Sequence, residues 1–403
     1  MKAGWRQVKL GDLCKTGAGG TPLKSKKEFY EGGAIPWLLS GEVAQGEILK
    51  ATSFITQKGL ENSSAKLFPP NTVLVAMYGA TAGQVGVLRI EASTNQAVCG
   101  ILPNEHFLPE FLFYLLLSRK DELIAQAAGN AQPNISQQKI RDTLVPVVPL
   151  PEQQRIVAIL DEAFAAIAAA RANAEQNRQN ARALFESYLQ SVFSQRGEGW
   201  VEKPLGNICD FLNGFAFKSS DVVAESQTQL VRMGNLYGNK LDLDRSPVFY
   251  PDSFATVYSR YVLEEGDIIM SLTGTTGKED YGFAVRIPTS DSSLLMNQRI
   301  MKFDAIRRDI IDDGYLLHYL RSRCFLDLLY PTANGTRQAN LSSVTMKLLP
   351  VPLPALKEQQ AIAVTLDRLH EETQRLESLY QRKIEALDEL KQSLLQQAFS
   401  GQL

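Results

Sequence analysis

The chain has 403 residues, more than one hydrophobic core usually organises, so we expect two or more folded units. A hydrophobic fraction of 44% with 21% charged residues is typical of a folded protein and excludes a largely disordered chain. The formal net charge of -2 does not favour a nucleic-acid partner held by bulk electrostatic attraction, so any DNA binding must come from local basic patches or from partner proteins.

Targeting segments and cysteine motifs are absent from the sequence. No apolar run approaches the roughly 20 residues of a membrane helix, and residues 1–5 lack the apolar stretch of a signal peptide, so we expect a cytoplasmic protein. The cysteines have no short paired spacing, which argues against a zinc ribbon or a disulfide framework and predicts small buried hydrophobes. They are Cys14, Cys99, Cys209 and Cys324.

In chain order, residues 1–145 predict a globular unit of mixed α/β structure. The β-rich run at residues 72–78 is bounded by turn-forming residues and predicts a strand, and residues 111–126 predict a helix. Trp37 is predicted to lie in the core rather than to serve as a stacking platform.

A proline-rich segment at residues 146–151 follows and is predicted to be a stiff hinge. From about residue 152 to 195, small or apolar residues recur in steps of four and three, the heptad pattern of a coiled coil. About 44 residues at 1.5 Å per residue would extend about 66 Å, too long for an ordinary core-facing helix. The predicted seam residues of this helix are Ile156, Leu160, Ile167 and Leu184.

Residues 197–351 predict a second globular unit, with a strand at 267–272 and a helix at 315–328. A second proline-rich hinge and a second long helix complete the chain, over residues 352–403. This helix has bulky residues where the first often has alanine, which favours pairing of the two helices with each other. Its predicted seam residues are Ile362, Leu366, Leu369, Leu376, Leu387 and Leu394.

The chain is an internal repeat. The segment from Trp5 to Cys14 recurs in outline from Trp200 to Cys209, and Glu152-Gln153-Gln154 recurs as Glu358-Gln359-Gln360. Between such anchors, over residues 15–128 and 210–334, the copies diverge. The two copies therefore share the recurring anchor segments but differ in the sequence between them.

Short motifs mark both copies. In the first they are Gly20-Thr21-Pro22, Ile35-Pro36-Trp37, Thr94-Asn95-Gln96, Asn134-Ile135-Ser136 and the proline segment that enters the long helix at Glu152-Gln153-Gln154. In the second they are Asn297-Gln298, Asn340-Leu341-Ser342 and Pro352-Leu353-Pro354 before Glu358-Gln359-Gln360. With these motifs in this order, essentially the whole chain resembles the specificity subunit (HsdS) of type I restriction-modification enzymes. The second copy lacks the Gly-Thr-Pro and Ile-Pro-Trp pieces.

The resemblance implies an α+β protein with two mixed α/β target recognition domains, joined by two long helices that form an antiparallel coiled coil with an internal pseudo-twofold repeat. The domains would be residues 1–145 and 197–351, with hinge and spacer helix at 146–196 and 352–403. It also implies a non-catalytic subunit that reads a bipartite, asymmetric DNA target. The implied partners are double-stranded DNA, two methyltransferase (HsdM-like) subunits and, in a complex that cuts DNA, restriction/translocase (HsdR-like) subunits.

Candidate DNA-binding residues are polar side chains near turns, because base edges are read by Arg, Lys, Asn and Gln. The candidates of the first copy are Lys24, Lys26, Lys27, Tyr78, Thr81, Asn95, Gln96, Gln132 and Asn134. Those of the second copy are Arg232, Asn235, Tyr237, Thr275, Thr276, Lys278, Asn297, Gln298, Arg299, Arg337, Gln338 and Asn340.

Each group has a structural alternative. The lysine cluster at residues 24–27 is otherwise a solvated charged loop, and the segments at 78–81 and 271–278 are otherwise plain hairpin turns. The Asn-Gln pairs could instead brace their own loops. Gln132/Gln338 and Asn134/Asn340 recur in copies with different contents, so we expect them to contact the DNA backbone or brace the fold rather than choose bases.

The enzyme motifs that the sequence resembles are incomplete. Residues 274–278 resemble a phosphate-binding loop, but Leu272 and Glu279 stand where Gly and Ser or Thr belong, and Pro22 breaks the dinucleotide fingerprint after residues 17–20. The histidines match no metal spacing, and the chain lacks an Asn-Pro-Pro-Tyr or Asp-Pro-Pro-Tyr stretch. We therefore predict no metal or cofactor in this chain and expect S-adenosylmethionine to bind a partner methyltransferase. The histidines are His106, His318 and His370.

Two other function classes stay open. One is a coiled-coil scaffold, or a DNA-binding subunit of another multi-subunit DNA-modifying defence system. The other is a standalone nucleic-acid enzyme, which the missing catalytic motifs disfavour. The two copies share their anchor segments but have diverged between them, and this divergence disfavours a scaffold without a DNA role.

Overall fold

The computed structural model of the protein describes residues 5–125 and 134–403. It divides into two compact units, of which the first comprises Met1–Glu175 and Gln381–Leu403 and the second comprises Gln176–Tyr380. Each unit contains a globular head, the start of one long helix and the end of the other. We call the head of the first unit, up to residue 149, the first head, and residues 195–355 the second head.

The two heads contain similar but not identical series of helices and strands. Those up to residue 194 are β1 (Arg6–Lys9), α1 (Leu10–Leu13), β2 (Thr16–Ala18), β3 (Ile35–Leu38), β4 (Glu47–Ile48), β5 (Phe54–Ile55), α2 (Gln57–Glu61), β6 (Leu67–Phe68), β7 (Val73–Ala76), β8 (Val85–Leu88), β9 (Ala92–Thr94), β10 (Val98–Ile101), α3 (Pro109–Ser118), α4 (Lys120–Ala125), α5 (Gln137–Asp142), β11 (Leu144–Val147) and the long helix α6 (Leu150–Ser194).

The elements of the second half are β12 (Val201–Pro204), β13 (Asp210–Asn213), β14 (Thr228–Val231), β15 (Phe249–Tyr250), α7 (Ser253–Val257), β16 (Val262–Leu263), β17 (Ile268–Ser271), β18 (Thr273–Thr275), β19 (Ala284–Arg286), β20 (Ser293–Met296), β21 (Ile300–Asp304), α8 (Asp313–Arg321), α9 (Arg323–Leu329), β22 (Gln338–Asn340), α10 (Ser343–Met346), β23 (Pro350–Leu353) and the long helix α11 (Leu356–Ser400).

The two heads share one sheet pattern although their sequences diverge. Strand order β2-β10-β7-β8 in the first head corresponds to β13-β21-β17-β19 in the second. A second sheet in each head has a parallel pair at its centre, β3 with β9 and β14 with β20. The central strands β7 and β17 are buried along their whole length, which explains why their sequences are continuously apolar rather than alternating. Both strands confirm the sequence prediction.

The predicted helices at 111–126 and 315–328 each form as two shorter helices. Residue 126 lies outside the described residues, and the first helix is divided into α3 and α4 at Arg119. In the second head, the Ser322 hydroxyl accepts a hydrogen bond from the Phe325 N–H at 3.4 Å and so caps the start of α9. A residue that favours a helix N-terminus therefore ends the preceding helix.

The proline-rich segments are strands rather than free hinges. β11 pairs antiparallel with β1, placing Pro146 opposite Gln7, and β23 pairs with β12 in the same way, placing Pro352 opposite Glu202. In a two-stranded ribbon each strand has only one neighbour, so a proline that lacks an N–H is tolerated. The first strand of each copy thus ties the head to the base of its long helix.

A buried glutamine explains one of the recurring motifs. Gln153 is fully buried, and its amide donates to the carbonyl oxygens of His106 and Val148, both at 2.7 Å. Its side-chain oxygen accepts from Leu108 N–H at 2.9 Å. In the second unit, Gln359 makes the equivalent three bonds to Ile310, Pro354 and Asp312. These glutamines fasten the start of each long helix to its head.

A recurring aspartate makes a second attachment. The Tyr114 hydroxyl donates to the Asp161 carboxylate at 2.5 Å, and His318 Nε2 lies 2.7 Å from the Asp367 carboxylate. Burial lowers the pKa of His318, so its ring is neutral at pH 7 and Nε2–H is the donor. Asp161 and Asp367 therefore hold the same kind of contact with different partners.

The end of each long helix packs into the head of the other copy. At the end of α6, Phe193 contacts Tyr315 with ring centroids 5.3 Å apart in the second unit. At the end of α11, Phe399 contacts Phe111 at the same distance in the first unit. Each core is thus completed by residues far away in the sequence.

Within each unit the two long helices run antiparallel, as predicted. In the first unit Arg171 pairs with Asp388 at 3.3 Å, and further toward the start of α6 the Phe164 ring lies under Lys391 at 5.0 Å. In the second unit Phe185 contacts His370 at 5.1 Å. The predicted seam residues that are buried are Ile156, Leu160, Ile167 and Leu366, and those that are half-buried are Ile362, Leu369, Leu376, Leu387 and Leu394.

The seam prediction is wrong at Leu184, whose side chain is 73% exposed. A strict heptad pattern drifts by about 20° per heptad around a straight helix, and Leu184 lies four heptads after Ile156, a drift of about 80°. Phe185 takes its place and packs against the core of the second unit. The contact face of α6 therefore follows the 3.6-residue period of a straight helix.

We expect Phe185→Ala to lower the free energy of unfolding by about 1–2 kcal/mol, because it removes a half-buried ring. Leu184→Ala, one position earlier, should change it by less than about 0.5 kcal/mol. Urea unfolding of both variants measures the difference. A larger loss for Leu184→Ala than for Phe185→Ala would contradict Phe185 as the packing position of α6.

Other core predictions hold. Trp37 is 5% exposed, and its Nε1–H donates to the carbonyl of Gly20 at 3.0 Å. Three cysteines are buried and Cys324 is half-buried, and burial raises the pKa of all four thiols. Within the described residues, no helix is long and apolar enough to cross a membrane.

Candidate nucleic-acid interface

The parallel strand pair of each head ends in two adjacent turns that share one backbone frame. In the second head, the N–H of Asn297, directly after β20, donates to the carbonyl of Val231 at the end of β14, at 3.1 Å. In the first head, the N–H of Asn95 donates to the carbonyl of Leu38 at 2.9 Å. Segments that share little sequence therefore adopt the same connection.

The asparagine of each Asn-Gln pair braces its own turn. Asn95 Oδ1 accepts from Ala97 N–H at 3.1 Å, and Asn297 Oδ1 accepts from Arg299 N–H at 3.2 Å. The following glutamines, Gln96 and Gln298, are exposed. The alternative raised for the asparagines therefore describes their observed contacts. Gln298 remains available to a ligand, whereas Gln96 accepts a hydrogen bond from the Thr21 hydroxyl.

A glycine packs under each of these turns. A Cβ on Gly19 would lie 2.1 Å from the Thr94 side chain, and a Cβ on Gly214 would lie 2.1 Å from the carbonyl of Asn297. No other residue fits at this approach. Gly19, in the glycine-rich run at residues 17–20, thus allows the chain to pass close beneath the turn.

The second head has a cleft of about 430 Å³ at this place. Among the described residues that line it are three arginines, Arg232, Arg245 and Arg299, and no carboxylate. The structure therefore brings together the predicted residues Arg232, Asn235, Asn297, Gln298 and Arg299. It adds Arg245 and Ser246, which lie in a loop without a motif and were missed by the sequence analysis.

The arginines of the cleft are held in different ways. Arg232 Nη2 donates to the carbonyl of Ser246, and the Arg245 guanidinium lies over the Tyr237 ring at 5.5 Å. Arg299 is exposed. Because three arginines line it, the cleft favours an anionic or hydrogen-bond-accepting ligand such as DNA.

Asn235 is removed from the DNA-binding candidates. Its side chain is 2% exposed, with Oδ1 accepting from Arg232 N–H and Nδ2 donating to the carbonyls of Asp242 and Arg245. Every hydrogen-bonding group of the amide except one oxygen lone pair is thus used inside the head. Asn235 shapes the cleft but is not free to contact DNA.

A second group of candidates lies on the β18–β22 ribbon, where Thr275 is opposite Gln338. The N–H and hydroxyl of Thr275 both donate to Asp280 at 2.7 Å, and these bonds lower the pKa of the Asp280 carboxyl. Thr276 bonds to the carbonyl of Gly335 at 3.3 Å. The exposed members of this group are Thr275, Thr276, Lys278, Arg337 and Asn340.

The first head has a smaller set of this kind. Tyr78, 39% exposed, forms an isolated bridge with Asn134, and the Thr81 hydroxyl donates to the Tyr78 carbonyl at 3.3 Å. Thr273 and Asn340 are paired in the same way in the second head. Gln132 lies outside the described residues.

The predicted lysine cluster is solvent-exposed. Lys26 lies over the Phe29 ring at 5.2 Å, Lys27 is 4.0 Å from Glu31, and Lys24 is also exposed. The nearby Thr21 hydroxyl donates to Gln96 Oε1, which connects this loop to the Asn-Gln turn. The lysines stay predictions as DNA contacts.

The described part of the chain contains no group of three His, Cys, Asp or Glu side chains that could hold a metal ion. His318 bonds to Asp367, His370 lies 2.8 Å from Gln374, and His106 lies 3.9 Å from Glu105.

The comparison with protein families decides the identity of the fold. A family model described as the type I restriction modification DNA specificity domain matches residues 2–176 and again residues 197–386. The chain belongs to this family. Its two matches correspond to the two copies of the repeat, and the domains are those of an HsdS subunit.

Curated relatives agree with the family. The EcoR124I/EcoR124II specificity subunit of Escherichia coli is 30% identical over 158 residues, which cover 38% of this chain and 39% of that subunit. The MjaVIII specificity subunit of Methanocaldococcus jannaschii is 23% identical over 412 residues, covering 99% of this chain and 93% of that subunit.

Solved structures share the fold of this family over the full length of the chain. One, from a study of complex assembly and conformational transition of the type I R-M system, has a TM-score of 0.79 at 21% identity and covers 100% of this chain and 99% of that chain. The HsdS subunit from Thermoanaerobacter tengcongensis has a TM-score of 0.61 at 19% identity, with coverage of 100% and 98%.

Proposed function

We propose that this chain gives a type I restriction-modification complex its DNA sequence specificity by reading a split, asymmetric target with two heads. The observation that carries this proposal is the shared frame of the two Asn-Gln turns with different exposed side chains around it. Both heads hold these turns with the same backbone arrangement, so the side chains that differ between the heads would select different bases.

The chain would act without catalysing a reaction itself. Its cleft offers guanidinium and amide groups, which bind and orient DNA, but the described residues lining it include no pair of acid and base. We infer that S-adenosylmethionine and the methyl transfer belong to methyltransferase partners, and that restriction subunits join where the complex also cuts.

The long helices are the proposed docking surface for those partners. Several of their apolar side chains are exposed rather than paired, including Leu184 at 73% and Val364 at 69%. Exposed apolar side chains four residues apart lie on one face of a helix, as Leu184 and Tyr188 do on α6, and a contiguous apolar patch of this kind favours a protein partner. A scaffold with no DNA role is the second candidate, and the arginine cleft disfavours it.

Reconstitution tests this proposal. The purified chain with S-adenosylmethionine and DNA should transfer no methyl groups, and addition of the methyltransferase encoded beside it should produce methylation at a split motif. Leu184→Glu with Val364→Glu should reduce co-purification with the methyltransferase at least about tenfold, since a buried charge at an interface is costly. The exposed polar pair Gln179→Glu and Gln360→Glu serves as the matched control. Methylation by the chain alone would contradict the proposal.

A further inference from the structure

Within the shared frame, the heads differ at two matched positions beside the Asn-Gln turns. Arg232 follows β14 where Leu39 follows β3, and Arg299 follows Asn297-Gln298 where Ala97 follows Asn95-Gln96. The main chain at the second position is pinned alike in both heads. Arg299 N–H donates to Asn297 Oδ1 while its carbonyl accepts from Leu272 N–H at 2.9 Å. Ala97 makes the same bonds with Asn95 and Met77.

Groups common to both heads cannot choose different bases, so selectivity must come from the positions that differ. Arg299 is the freest of the three cleft arginines to do so, because Arg232 is bound to Ser246 and Arg245 lies over Tyr237. Its exposed side chain starts from a fixed backbone. A guanidinium fork matches the O6 and N7 acceptors of guanine, whereas a small apolar side chain contacts the methyl group of thymine.

We propose that Arg299 reads a guanine in the half-site of the second head, and that Ala97, with Leu39 beside it, meets a thymine methyl at the matched position of the first half-site. Leu39 is 40% exposed and so presents apolar surface where the second head presents Arg232. The inference rests on the proposed function and assigns one base pair in each half of the target.

The test uses the complete chain in complex with its methyltransferase. The methylated motif of the wild-type complex is read by sequencing, and dissociation constants are then measured on duplexes that carry each base pair at each motif position. Arg299→Ala should lose discrimination at one G·C pair of one half-site, and weaken binding of the cognate duplex about 10- to 100-fold. Ala97→Arg should shift the affinity ratio at one A·T pair of the other half-site at least about tenfold toward G·C.

Arg260→Ala is the charge-matched control, since Arg260 is exposed on the second head and does not line the cleft. It should leave the base preferences unchanged. The inference is overturned if Arg299→Ala weakens all duplexes equally, as loss of a phosphate contact would, or if it relaxes an A·T position. It is also overturned if both variants act on the same half-site or if Ala97→Arg leaves the ratio unchanged.

Failure of the proposed function appears at an earlier step. If the wild-type complex produces no methylated motif that depends on this chain, the specificity role itself is wrong. If that motif appears and the variants behave otherwise than stated, the base assignment alone is wrong.

Discussion

Replacing Gln153 with leucine should lower the free energy of unfolding by about 3–5 kcal/mol. The substitution keeps the volume of the side chain but removes three hydrogen bonds from a fully buried site. It leaves the N–H of Leu108 and the carbonyls of His106 and Val148 without their partner, and each unsatisfied buried group costs about 1–3 kcal/mol. Gln359→Leu should have an effect of the same size, because its three bonds are equivalent.

Gln154 is the matched control, since it is the next residue and is exposed. Gln154→Leu should change the free energy of unfolding by less than about 0.5 kcal/mol. Urea denaturation followed by circular dichroism gives both values for each variant. Equal stability of the Gln153 and Gln154 variants would show that the buried amide does not hold the long helix to the head.

The repeat in the sequence predicted the frame of the fold but not the contacts that create it. Gln153 and Gln359 stood out because they recur, yet their partners are backbone groups of residues 106, 108 and 148 and their counterparts. Backbone groups leave no sequence signal. The same holds for the Asn-Gln turns, whose shared hydrogen bonds join segments that have diverged.

Periodicity predicted two long helices and their pairing but placed the seam wrongly toward the end of α6. Heptad counting assumes a supercoil that keeps every seventh residue on one face, and over several turns a straight helix departs from it. The exposed Leu184 and the packed Phe185 result from that departure. The proline segments were interpreted as hinges because proline breaks helices, whereas pairing with β1 and β12 depends on distant strands.

Residue chemistry predicted part of the second-head cleft. Arg232, Asn297, Gln298 and Arg299 were found because they lie at strand ends, where turns present polar groups. Arg245 was missed, since its position over Tyr237 is created by the fold of a loop without a motif. Asn235 was included in error, because composition alone does not distinguish a bracing amide from one that faces a ligand.

Duplicating the second head should make the target symmetric. Replacing residues 15–128 with residues 210–334 puts the arginine cleft in both heads. The replacement keeps β1, β11 and the parts of both long helices that belong to the first unit. The frame tolerates the exchange, because the exchanged segments bond to the long helix in the same way: the Asp312 N–H and Ile310 carbonyl that bond to Gln359 correspond to the Leu108 N–H and His106 carbonyl that bond to Gln153. His318 would then meet Asp161 in place of Tyr114, which is again a donor facing a carboxylate.

The reciprocal variant, with residues 15–128 in place of 210–334, controls for disruption of either head. Thermal unfolding of both variants beside the wild-type chain shows whether the exchanged heads fold. If each head reads one half-site independently, each variant should double one half of the target and lose the other.

The decisive measurement is the methylated motif of cells that express the wild-type chain or either duplicated variant together with the methyltransferase, read by sequencing. Independent reading by the two heads predicts a split asymmetric motif for the wild-type chain and two different symmetric motifs for the variants, each made of two copies of one wild-type half-site. A folded variant that still methylates the wild-type motif, or one that methylates a motif sharing neither half with it, would contradict independent reading.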